Sequence, residues 1–129
     1  MFSSPHLRPA LFCVVAVLTS AAIERGHAGE ADVIDVTVRS AGSDRFDFDV
    51  TVRSNDTGWS HYADKIEVLA PDGSVLGTRV LLHPHEAEQP FTRDVYGVAV
   101  PSGIAEVVVR AHHKPTGYDG AVMTVRLPR

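Results

Sequence analysis

The residues best equipped for chemistry lie in LLHPHEAEQP, positions 81–90. His83 and His85 flank Pro84, and Glu86 and Glu88 follow at once. On an extended chain, residues two apart point to the same side, about 6.6 Å apart at ~3.3 Å per residue. Two imidazoles so placed can clasp one ion at metal–nitrogen distances of about 2.0–2.1 Å, and Pro84 stiffens the pair. Glu86 or Glu88 can add an oxygen. Without a metal, the same stretch is simply a turn that contains histidine.

Within residues 29–129 three further histidines, His61, His112 and His113, lie in two other stretches. Cys13 is the only cysteine, and Met123 is the only methionine after Met1. Residues 29–129 therefore offer no thiolate and a single thioether, which essentially excludes soft sulfur ligation, and a set of imidazoles suits zinc or copper(II). Histidines gathered together would also make a pH-sensitive surface, since imidazole titrates near pH ~6.5.

Other residues read more plainly. Trp59, the only tryptophan, either walls a ligand pocket beside His61 or, as favoured here, caps the open end of a core. Asp64 falls in step with Tyr62, Ile66 and Val68, where it would orient a histidine or cap a turn. Arg93 and Asp94 read as surface charges. Tyr118 and Asp119 sit between Gly117 and Gly120 and read as turn residues. Ser60, His61 and Asp64 are too close in sequence to meet as a hydrolase triad, and no nucleophile elbow accompanies them. Asn55-Asp56-Thr57 is a glycosylation sequon only in a eukaryotic host; the signal segment and the preference for arginine look bacterial.

The elements that must position these residues are strands. Apolar and polar residues alternate with period two almost throughout 29–129, with no helical pattern. Ile34, Val36 and Val38 alternate with Asp35, Thr37 and Arg39; Phe46, Phe48, Val50 and Val52 alternate with Asp47, Asp49, Thr51 and Arg53. Further strands are expected near residues 65–70, 75–83, 91–100, 104–112 and 121–127. AGSD, PDG and PSG mark tight turns, and Pro84 and Pro90 make HPHEAEQP a loop. Seven short strands with turn signals every 8–12 residues predict an all-β immunoglobulin or fibronectin-III-like sandwich, with a small open barrel as the alternative. In that order the segments after strands two, four and six share one end. All five histidines of residues 29–129 would then gather there, with His112 the better ligand on strand six and His113 the spare.

Residues 1–28 read as a cleaved signal peptide. Ala10–Ala22 is an apolar run too short to span a bilayer comfortably, and Gly26 and Ala28 offer small residues for cleavage. Phe12 precedes Cys13 where a lipid-anchor signal needs a small residue, so no lipid anchor is expected. The chain carries a formal net charge of −4, and losing Arg8, Glu24 and Arg25 makes it one unit more negative. With no basic cluster, nucleic acid is not expected as a partner. After cleavage no membrane segment remains, which points to a periplasmic or secreted protein with domain 29–129.

The stretches GWSHYADKIEVLAPDG, LGTRVLLHPHEAEQPFTR and VPSGIAEVVVRAH, within residues 58–112, resemble a group of small exported bacterial proteins of unassigned function. The strings W-x-H-Y-A-D and L-L-H-P-H-x-x-E-Q-P-F-T-R carry that resemblance, and it implies no activity. Copper/zinc superoxide dismutases also place H-x-H on a β-sandwich, but the likeness stops at three residues. The leading expectation is a carrier, buffer or sensor, not an enzyme, that binds zinc or copper(II) through His61, His83, His85 and His112. The alternative is a metal-free module that contacts an exported protein through HPHEAEQPF and Trp59. A metal-dependent redox enzyme comes third.

Overall fold

The computed structural model describes residues 28–129. The expected signal peptide, up to residue 27, and Cys13 within it lie outside the described residues. Seven strands follow in chain order: β1 (Ala31–Ser40), β2 (Arg45–Ser54), β3 (Tyr62–Leu69), β4 (Val75–Val80), β5 (Phe91–Ala99), β6 (Glu106–Lys114) and β7 (Met123–Arg126). They form two antiparallel sheets, ordered β1-β2-β5 and β4-β3-β6-β7. The described residues contain no helix.

The period-two pattern explains the packing. Phe48, Val50, Val52, Phe91 and Val95 face inward from one sheet. Ile66, Val68, Val107, Val109 and Val125 meet them from the other. Removing such side chains from water is the main drive for folding, and each fully buried one contributes roughly 1.5–3 kcal/mol.

The register shifts in four strand pairs, and two of these bulges decide which side chains face inward near the site, because one extra residue turns the following side chains to the other face. In β1 the register slips between Val33 and Asp35. Val33 is therefore buried, with Val36 and Val38 packed against the core, and Ile34 does not lead the inward row as the alternation predicts. In β3 the register with β6 slips between Ala63 and Lys65. Ala63 and Ile66 are both buried, and Asp64 leaves the face of Ile66 and Val68.

The two ends of the molecule differ. Short turns link β1 to β2, β3 to β4 and β5 to β6 at one end. At the other lie the longer connections β2–β3, β4–β5 and β6–β7, which carry His61, His83 and His85, while His112 and His113 stand near the end of β6.

Candidate functional site

The centre of the loop end is Asp56, whose side chain is fully buried. Its Oδ1 accepts from the Ser54 hydroxyl at 2.7 Å and from Ala63 N–H at 3.0 Å. Its Oδ2 accepts from His85 N–H at 2.8 Å. One carboxylate thus joins the end of β2, the start of β3 and the β4–β5 loop. Such bonds to an ionised acceptor are the strong kind. Gln89 makes a second clasp: its Nε2 donates to His85 O and to the Ser54 hydroxyl, while its Oε1 accepts from Ser54 N–H.

Two imidazoles close over this carboxylate. His85 Nδ1 lies 4.0 Å from Asp56 Oδ2, and His113 Nε2 lies 3.8 Å from Asp56 Oδ1. Both nitrogens are buried without a hydrogen bond. His113 continues the inward row Val107, Val109 and Ala111 and is fully buried.

His85 stacks on Phe91 with ring centroids 3.9 Å apart and planes 10° apart. Arg93 Nη2 lies 3.0 Å from His85 Nε2. A guanidinium only donates, so Nε2 must be the acceptor and Nδ1 carries the proton. Burial, and then the nearby Arg93 and His83, push the His85 pKa below its ordinary value, against the opposing pull of Asp56 and Glu88. Arg93 also pairs with Glu88 at 3.2 Å, and Asp94 pairs with Arg79 at 2.6 Å across the two sheets. These two are therefore bridging residues and not the simple surface charges the sequence reading made of them.

The remaining histidines lie outside this knot. His83 is exposed; its Nδ1 donates to Pro84 O at 3.0 Å, and its ring lies 4.5 Å from that of His85. His112 is half-buried on the outer face, with Nδ1 2.5 Å from Asp64 Oδ1. The bulge that displaces Asp64 is what brings it to His112. Tyr118 meets the His112 ring edge-on at 4.7 Å, and the Arg110 guanidinium sits over Tyr118 at 3.6 Å. His61 is exposed and pairs with Gly58 through its backbone. The structure thus groups His83 with His85, and His85 with His113, but sets His112 with Asp64. Among the described residues, no three His, Cys, Asp or Glu side chains form a group ready to hold a metal ion.

Trp59 does not cap the core. It is 65% exposed, touching Tyr62 edge-on at 5.6 Å; Tyr62, Leu81, His85 and His113 seal that end instead. Leu82, 75% exposed, stands on the adjoining loop. The Glu86 carboxylate lies near Gly58, so the β2–β3 and β4–β5 loops form one surface.

Comparison with known proteins gives a partial likeness. A protein of Halomicrobium mukohataei named "Putative lipoprotein" is 45% identical over 96 residues. The match takes in 74% of this chain and 47% of that protein. The chain thus spans about half the length of the curated relative it matches. No family model matches the chain, and no solved structure matches it.

Proposed function

We propose that the chain is an exported interaction module of fibronectin-III-like type. Its contact surface is the loop end, where Trp59 and Leu82 stand among His61, His83 and Glu86. Lettered in order, the strands run A-B-E against C′-C-F-G, a plan related to immunoglobulin sandwiches. The observation that carries the functional reading is an exposed tryptophan on a loop pinned from beneath by Asp56. Tryptophan dominates protein contact energies, and a rigid mount lowers the ordering cost of binding. Export agrees with the apolar leader and with the name of the relative. That name also raises attachment to lipid through Cys13, although Phe12 stands where the modification needs a small residue. The test is affinity capture from the exported fraction of the source cells, with the whole chain and with Trp59→Ala. A protein retained by the first and lost by the second is the expected result. An identical set from both would sink the reading.

A second reading keeps the metal. His112 and His83 both use Nδ1 to donate, to Asp64 and to Pro84 O, which leaves Nε2 outward. Metal-binding histidines are commonly oriented in this way. Zinc or copper(II) held by His61, His83, His85 and His112 would require His85 to leave Arg93 and the β4–β5 loop to move. Bound metal measured by mass spectrometry on untagged protein decides the matter. A stoichiometric ion lost with His83→Ala would favour this reading, and metal-free protein with no thermal shift on adding either ion would end it.

A further inference from the structure

Each of the two sheets has two edges, and the four edges are treated differently. β1 carries Asp32, Asp35 and Arg39 and a bulge, and its start is tied to the β6–β7 connection by Val33 N–H donating to Ala121 O. On β5, Arg79 donates to Asp94 O at 3.0 Å and Arg45 donates to Gly97 O at 2.9 Å. β7 is four residues long and carries Arg126 beside Glu106. These are the charges, bulges and short lengths that keep sheet edges from pairing with other chains.

β4 has none of that protection along its second half. Leu81 N–H donates to Asp64 O. Bonding direction alternates along an antiparallel ladder, so Thr78 and Val80 turn their N–H and C=O groups to the free edge. The only charged side chain of β4, Arg79, is folded back onto Asp94. Val80 is 57% exposed and Leu82 beyond it 75%. Beside the edge runs a groove of about 430 Å³ between β4 and β5, lined by Gly77, Arg79, Asp94, Tyr96 and Val98 among others.

We propose that the free edge of β4 pairs with β4 of a second copy of this chain, as an antiparallel two-fold dimer. Unsatisfied backbone groups call for a strand, and the sequence of β4 suits itself. With outward residues facing outward residues, the two-fold axis passes through Thr78. The threonines of the two copies then stand opposite each other, a favourable cross-strand pair. The bulkiest inward residue, Arg79, meets the smallest, Gly77. No like charges are brought together, and the same patch serves both subunits, as a closed dimer requires.

The test is the mass of the whole chain in solution, measured by sedimentation velocity from micromolar to submillimolar concentration. Doubling of the mass is expected. Thr78→Pro removes one outward N–H and leaves the bonds to β3 intact, so it is tolerated as an edge proline; it should weaken the dimer at least tenfold with the circular dichroism spectrum unchanged. Should that variant misfold, Val80→Lys carries the test with the same expectation. A monomer at every concentration would overturn the proposal. So would a dimer that both variants leave intact, or one lost only with Trp59→Ala, which would place the contact at the loop end.

Discussion

The two ends of this molecule close by different means. At the turn end the β3–β4 connection closes on itself, and the β1–β2 turn does so while also taking the Val100 N–H on Asp44 O, where Arg129 joins them. Arg45 N–H donates to Gly42 O, Ala70 N–H donates to Ser74 O, and Asp72 accepts from the N–H and hydroxyl of Ser74. At the loop end the closing groups are side chains that reach across the sequence. Asp56 holds a residue 29 positions away, Gln89 one 35 positions away, and Asp32 accepts from Ala121 N–H, 89 positions away. Damage at the β3–β4 turn should therefore stay local. Damage at the loop end should release several loops at once.

Asp56→Ala should have the largest effect. It strips three buried donors of their acceptor, and losing one member of a buried polar network costs about 3–5 kcal/mol. Chemical denaturation would read it; a loss below about 1 kcal/mol would show that the carboxylate does not hold the loops. Acid probes the same knot from His85. Its folded pKa lies below the ordinary 6.5, so the unfolded chain takes up a proton that the folded one refuses. Stability from this group is full above pH 6.5 and is lost as pH falls from there through the lowered folded value. The melting temperature should drop as pH falls below 6.5, and His85→Gln should flatten that slope. An unchanged slope would remove His85 as its source. At the opposite end Asp72→Ala should cost only about 1 kcal/mol, comparable to losing a helix cap, with amide exchange quickening in residues 71–74 alone. Exchange that spreads along β3 or β4 would contradict the local character of that turn. Trp59→Ala should change stability by less than about 0.5 kcal/mol while removing the proposed partner. A large fall in melting temperature would instead make Trp59 part of the structure.

The same contrast governs what the sequence reveals. Turns and strands show because their causes are local: period-two alternation, and glycine and proline at the corners. All seven strands stand near their expected places, though β4 stops at Val80 and β6 runs on to Lys114. His113 could have been read as buried, since it is two residues beyond Ala111 in an inward row. Asp56 could not. Nothing beside it differs from an ordinary loop aspartate, and its partners Ala63 and His85 are backbone donors that only the fold brings near. The role of Arg93 is hidden for the same reason, because its acceptor His85 belongs to another element. The bulges at Val33/Asp35 and Ala63/Lys65 leave no mark in composition, so simple alternation assigns Ile34 and Asp64 to the wrong sides.

Asp56 also has a bearing on where the domain can be made. Small exported domains are commonly stapled by disulfides, which tie their folding to an oxidising compartment. Here the described residues hold no cysteine, and a carboxylate with three donors performs the cross-linking. The staple assembles without an oxidant and is indifferent to reductants. Folding should be as complete in a reducing cytosol as outside it, and the stretch between the anchors, Thr57 to His61, is open to replacement by foreign recognition sequences.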